Sequence, residues 1–151
     1  MSDQPTGAPP SAYYHFCPRC GSALTHGQGE HQRCSTGDFT FFHNPQAAVA
    51  AIVRNERGEV LLVERAEEPR KGDWDVPGGF VDWGEEPAAA IVREMEEELH
   101  VAFTPRRCLG AYHGWYDFAG LAHSICNVYY LGDLKGEPRP DSDVASLRWF
   151  S

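Results

Sequence analysis

Three glutamates, Glu94, Glu97 and Glu98, stand at i, i+3 and i+4 in the run Arg93-Glu94-Met95-Glu96-Glu97-Glu98. On a helix that spacing brings their side chains together, and like charges so placed repel. A divalent cation reverses the sign of that interaction. Hard carboxylate oxygens suit magnesium or manganese, and magnesium commonly shares itself with substrate phosphates, so a partial carboxylate cage suffices. The plainer reading of the helix alone is a solvated acidic face. Upstream, Pro77-Gly78-Gly79 is a bare bend, because adjacent glycines permit positive φ and close approach to the backbone.

The element that must carry these carboxylates is a helix over Ala88 to Leu99. Pro87 suits its first turn, where a missing N–H costs nothing. Glu86 is a mediocre N-cap, but Glu85 and Glu86 both favour the positive end of the helix dipole. Ala88, Ile91, Val92, Met95 and Leu99 form the predicted apolar face.

Gly79, five residues, Glu85, seven residues and then Arg93 to Glu98 together resemble the Nudix box. The lead-in Lys71-Gly72-Asp73-Trp74-Asp75-Val76-Pro77 also matches, and the resemblance covers roughly residues 45–150. It implies an α+β fold, an α/β/α sandwich around a mixed β-sheet. It further implies metal-dependent hydrolysis of a nucleoside diphosphate linked to another group, ADP-ribose-like by preference. NADH, nucleotide sugars and nucleoside triphosphates are the alternative substrates, and a non-catalytic nucleotide-binding regulator is the alternative class. The implied magnesium or manganese ligands are Gly79 through its carbonyl, Glu94, Glu97 and Glu98. Arg93 is expected to pair with a carboxylate, Glu85 first, and so orient them. Glu97, Glu98 and, further off, Asp117 stand as general-base candidates. One position departs: His100 stands where the family has a helix-ending glycine, a left-handed conformation that histidine adopts at some cost.

Cys17-Pro18-Arg19-Cys20 is a knuckle turn offering two thiolates of the four N or S ligands that structural zinc needs. Cys34 follows at the right distance, and the segment resembles the zinc ribbon that precedes some Nudix domains, including the NADH pyrophosphatase type. Gly37 stands where the fourth cysteine belongs. His31 is the first candidate for the missing ligand, with His26, Asp38 and His43 behind it, and a ribbon that no longer holds zinc is the alternative.

Around these motifs, residues 1–12 read as a disordered tail, 13–44 as the ribbon-like segment and 45–151 as the Nudix domain. Gln46 to Val53 and Val60 to Arg65 read as two strands of a hairpin around Asn55-Glu56-Arg57-Gly58. Arg106 to Tyr116 and His123 to Leu131 are aromatic-rich strands turning at Asp117 to Gly120, and Leu147 to Phe150 is a last strand. Trp115, Tyr116 and Phe118 are candidates to stack on a base, or else cross-strand core aromatics. Arg70 is a candidate phosphate contact. Cys108 and Cys126 read as small buried hydrophobes. The chain stops after Ser151 where related proteins continue into a further helix, so a shortened C-terminus or cover from a second copy is expected, which is compatible with a homodimer.

The chain has 151 residues, with 13 Lys and Arg against 22 Asp and Glu, a formal net charge of −9. That charge argues against general affinity for nucleic acid or an anionic membrane. No apolar run reaches membrane-spanning length. Five cysteines with no export signal in the sequence favour reduced thiols and a cytoplasmic setting.

Overall fold

In the computed structural model, residues 7–26 and 31–151 are described. Its strands are β1 (Leu24–His26), β2 (His31–Cys34), β3 (Thr40–Phe42), β4 (Gln46–Val53), β5 (Val60–Arg65), β6 (Trp74–Asp75), β7 (Ala102–Phe118), β8 (Leu121–Lys135) and β9 (Val144–Phe150). Among the described residues the one α-helix is α1 (Pro87–Leu99). The class is α+β, and only one helical layer of the expected sandwich is built from described residues. The strands form three sheets, ordered β1-β2-β3, β4-β8-β7 and β6-β5-β9.

The chain divides into two compact units, residues 1–46 with 114–125, and residues 47–113 with 126–151. In the first unit β1 pairs antiparallel with β2, and β2 with β3. The unit also takes in the tip of the β7–β8 hairpin, which turns at Ala119 and Gly120, both at positive φ. Of the expected tail, residues 1–6 lie outside the described residues. The rest is structured: Ala8 exchanges backbone hydrogen bonds with Gly120 and Ala122, and Pro10–Ala12 makes one 3-10 turn.

The second unit is organised by its core. Val49, Ala51 and Val53 of β4, Leu61 and Val63 of β5, and Ala90, Ile91, Met95 and Leu99 of α1 cluster with Val101, Phe103 and Val144. β4 buries residues 48–51 in an unbroken run, as a strand covered on both faces does. β4 and β5 have the predicted bounds but not the predicted partnership. β5 pairs with β6 and β9, whereas β4 lies beside β8, so the expected hairpin is an isolated bridge, Arg54 to Val60. The reason is register: β5 pairs with β9 over its whole length, Val60 with Phe150 through Arg65 with Val144.

Helix α1 buries a stripe different from the predicted one. Val92 is 37% exposed and Ala88 is exposed, while Ala90 and Glu98 are buried. The stripe is thus rotated about the helix axis toward the carboxylate side, and Glu98 enters the protein with it. At the C-terminal end His100 takes the left-handed conformation, φ 53° and ψ 39°. Its N–H bonds to the Glu96 carbonyl at 3.0 Å, the capping pattern usually given to glycine. The carbonyls of Glu98 and Leu99 accept from the N–H groups of Asp141 and Arg139, so the last turn is closed by the loop before β9.

Candidate functional site

The glycine bend is laced onto β4 by four contacts. Ala51 N–H donates to Pro77 O (2.8 Å), Val49 N–H to Gly79 O (2.8 Å) and Val81 N–H to Ala47 O (3.0 Å), while Ala48 and Phe80 form a bridge. Gly78 tolerates no side chain, and one on Gly79 would displace the Glu94 carboxylate. Gly78 sits at φ 146°, and a Cβ there would overlap the Val49 carbonyl. A Cβ on Gly79 would lie 2.5 Å from Glu94 Oε1. The bend is bare because a carboxylate stands against it. The Gly79 carbonyl already accepts one hydrogen bond, which leaves a second lone pair.

Arg93 is the hub of the carboxylates. Its Nε and Nη2 grip Glu85 at 3.0 and 2.9 Å, its Nη1 reaches Glu94 Oε1 at 2.8 Å and Glu97 Oε2 at 3.0 Å, and Nη2 also donates to Phe80 O at 3.1 Å. Glu85 accepts from Asp82 N–H as well, and Arg93 holds its carboxyl below the usual range. The expected pairing of Arg93 with Glu85 is therefore present in its two-pronged form.

Glu98 is different in kind. It is 6% exposed and its Oε2 accepts from Gly78 N–H at 3.1 Å. Burial pushes its pKa up to about 8, with the negative charge of Asp143 adding to the effect. Glu94 is also raised, chiefly by burial. Glu97 remains mostly in water, its side chain 55% exposed. The three glutamates do not close into a tight cage: among the described residues, the one set of three candidate ligand atoms within 4.8 Å of one another is Cys17, Cys20 and Cys34. Arg93 Nη1 stands between Glu94 and Glu97, and mutual repulsion favours that spread.

Two residues at this site escape sequence reasoning. Arg65 and Asp143 both act electrostatically on Glu98, and the β5–β9 register, which sets Arg65 opposite Val144, brings them there. No local signal links positions so far apart. The other candidates have contacts of their own. Arg70 is tied to Asp73 at 2.8 Å on the surface. Asp117 Oδ1 accepts from Gly7 N–H at 3.2 Å in the first unit. In that unit, Tyr116 and Phe118 stack on one another, and Trp115 is 42% exposed and lines a cavity.

In the cysteine cluster, Cys20 and Cys34 Sγ atoms are 3.5 Å apart. All five cysteines are free, and Cys108 is exposed, contrary to the buried reading. The Cys20 thiol is lowered to about 6, first by its hydrogen bonds with Ser22. His31 does not join the cluster. It pairs with Phe42 across the β2–β3 ladder, their rings 5.8 Å apart, whereas Gln32 and Cys34 are buried. On a strand, residues three apart face opposite ways, so His31 and Cys34 diverge. His26, Asp38 and His43 are outside the cluster too. Thr36 Oγ1 is the polar group at hand, 3.9 Å from Cys20 Sγ and 3.7 Å from Cys34 Sγ. No helix among the described residues is long and apolar enough to cross a membrane.

The NUDIX domain family matches residues 44–151. An ADP-ribose pyrophosphatase of Methanocaldococcus jannaschii is 31% identical over 112 residues, 74% of this chain and 65% of the relative. An NAD-capped RNA hydrolase NudC of Vibrio vulnificus is 30% identical over 139 residues, 90% of this chain and 50% of the relative. The chain thus spans between half and two thirds of these relatives. A MutT NUDIX hydrolase structure from Burkholderia pseudomallei superposes with a TM-score of 0.62 at 33% identity, covering 71% of this chain and 83% of that one. A NUDIX hydrolase from Nitrosomonas europaea gives 0.71 over 91% of this chain and 77% of that one, at 23% identity, a likeness of fold. By the match over residues 44–151 and the fold shared with these structures, the chain belongs to the NUDIX domain family.

Proposed function

We propose that the chain hydrolyses the diphosphate bridge of a nucleoside diphosphate linked to a second group, ADP-ribose-like by first choice, with magnesium or manganese. The observation that carries this reading is the Arg93 hub, which holds Glu85, Glu94 and Glu97 in one network beside a glycine bend that has no room for a side chain at Gly78. The Glu94 and Glu97 carboxylates and a carbonyl with a spare lone pair form a hard-oxygen donor set, the kind a magnesium-sized cation takes. Such an ion, when bound, neutralises charge on the diphosphate and acidifies a water. Glu94, Glu97 and Gly79 O are its assigned ligands. Arg93 and Glu85 position those ligands without touching substrate. Glu98 is the assigned proton acceptor for the attacking water, because its proton affinity is raised toward neutral pH and Gly78 N–H fixes its orientation. Sequence similarity to an ADP-ribose pyrophosphatase supports the substrate choice.

The test is a mass-spectrometric assay of ADP-ribose, NADH, nucleotide sugars and nucleoside triphosphates with each metal. Release of AMP and ribose 5-phosphate from ADP-ribose, lost in Glu98→Gln, is the expected result. No cleavage of any of these substrates would refute the reading. A preference for NADH is the second outcome of note, favoured by the cysteine cluster and by the longer match to a relative named for hydrolysis of NAD-capped RNA.

We further infer that the cysteine cluster holds zinc, with Thr36 Oγ1 in the fourth position instead of His31. Tetrahedral zinc at about 2.3 Å from sulfur sets neighbouring ligands about 3.6–3.8 Å apart. The Cys20–Cys34, Thr36–Cys34 and Thr36–Cys20 spacings of 3.5, 3.7 and 3.9 Å fall around that value. Free thiols throughout also support the cytoplasm as the compartment.

A further inference from the structure

The first unit contains a cavity of about 580 Å³ that the hydrolytic chemistry does not use. Its volume lies in the ordinary range for a small-molecule site, about 300–1,000 Å³. Tyr14, Phe41 and Trp115 are aromatic residues of its lining, and Asn44 and Gln46 are its two amide residues. None of its twelve lining residues is Asp, Glu, Lys or Arg. A wall without formal charge is unsuited to a phosphate or an acidic peptide and suited to a neutral, flat, hydrogen-bonding ligand.

One corner is fixed in advance. Gln32, 2% exposed, donates from Nε2 to the Tyr14 carbonyl at 2.8 Å and meets His43 Nε2 through Oε1 at 2.9 Å. The Tyr14 carbonyl can only accept, so it sets the amide's orientation. Gln32 Oε1 then accepts, and His43 Nε2 carries the proton. His43 stacks on Tyr14 at 5.9 Å and meets the Phe41 edge at 4.6 Å, and Tyr14 and Phe41 pack edge to face at 5.2 Å. Against this rigid corner, Trp115 is left 42% exposed and Tyr14 41%. Large aromatic faces held rigidly and left partly in water are what a stacking ligand covers.

We propose that this cavity binds a purine base of the adenine type, with aromatic walls stacking on the ring and the Asn44 and Gln46 amides reading its edge. Asparagine and glutamine pair bidentately with the N6 and N7 edge of adenine, whereas guanine favours arginine or lysine and cytosine a carboxylate, neither of which lines the cavity. Nothing in this site draws on metal ions or on the α1 glutamates, so it stands or falls apart from the hydrolase reading.

The experiment is equilibrium dialysis of adenosine against the full chain without added magnesium, where no diphosphate exists to be cleaved. Saturable adenosine binding is expected, at least tenfold tighter than uridine. Trp115→Ala is expected to weaken it tenfold or more, with Trp115→Phe keeping most of it, and Asn44→Ala to erase the preference for adenosine over inosine, which lacks the N6 amino group. Glu98→Gln is expected to bind adenosine as the unaltered chain does. Absence of saturable binding overturns the proposal. So do an unchanged affinity in a folded Trp115→Ala variant and loss of binding in Glu98→Gln, which would locate the base at the carboxylate site instead.

Discussion

Arg93 and Glu85 meet through two parallel hydrogen bonds, Nε to Oε1 at 3.0 Å and Nη2 to Oε2 at 2.9 Å. The remaining guanidinium nitrogen is thereby aimed at Glu94 and Glu97. Only a planar, forked cation serves both ends of this arrangement. Arg93→Lys keeps the charge but loses the fork. The expected result is a 10- to 100-fold fall in kcat/KM, roughly the cost of removing a group that orients metal ligands. It should come with a raised magnesium requirement and a thermal midpoint within a few degrees of the unaltered protein. Steady-state kinetics across a magnesium series measure it, and an unchanged metal requirement would remove Arg93 from the positioning role.

Glu98 gives a pH prediction with a definite sign. Its folded-state pKa, about 8, lies above the ordinary 4.5, so the folded chain holds this proton more tightly than the unfolded chain. The contribution to stability is full below about 4.5 and is lost as pH rises through about 8. Without added metal, urea midpoints should fall over that window, by an amount on the order of a few kcal/mol in free energy, and Glu98→Gln should flatten the fall. Glu98→Gln and Glu94→Gln should also each lower turnover by orders of magnitude while the chain stays folded. Flat urea midpoints for the unaltered chain would mean that Glu98 is ionised throughout.

What the sequence made legible follows from which signals are local. The glycine bend, the bounds of β4 and β5 and the existence of α1 are all set within a dozen or so residues, by glycine pairs, apolar runs and helical period. Pairing is not local. Two apolar runs around an Asn-Glu-Arg-Gly turn read as a hairpin, yet β5 prefers the distant β9, and the same non-local pairing brings Asp143 and Arg65 to Glu98. His31 illustrates another limit: the segment from His31 to Cys34 is extended, and there an interval of three reverses the face. Burial of Glu98 was not visible either, because periodicity gives the apolar stripe but not how far the helix is rolled.

His100 caps α1 from the left-handed region, φ 53°, where a side chain costs about 1–2 kcal/mol relative to glycine. Its ring also contacts Asp141 at 2.6 Å, but both side chains are more than half exposed, and such surface pairs contribute little. Relief of backbone strain outweighs loss of that contact. His100→Gly should therefore raise stability by about 0.5–1 kcal/mol despite the greater freedom of glycine in the unfolded chain. Chemical denaturation at constant pH checks this. Destabilisation would show that the Asp141 contact matters more than the strain.

The fourth position of the cysteine cluster can be tested by filling it. A Cβ on Gly37 would lie 3.8 Å from Cys34 Sγ with no closer neighbour, so Gly37→Cys brings a thiol to the cluster without a clash. Zinc held by three thiolates and a hydroxyl should bind more weakly than zinc held by four thiolates, because a neutral oxygen is the poorer ligand for this borderline-soft ion. In cobalt-substituted protein, Gly37→Cys should raise the sulfur-to-metal charge-transfer intensity by roughly one third, three thiolates becoming four, and tighten metal binding tenfold or more. Thr36→Val should shift the visible bands of the three-thiolate site and weaken binding, whereas His31→Ala should leave both unchanged. If the unaltered chain takes up no cobalt or zinc, the cluster is not a metal site at all. If it binds metal but Thr36→Val changes neither spectrum nor affinity, the oxygen is supplied by something other than Thr36.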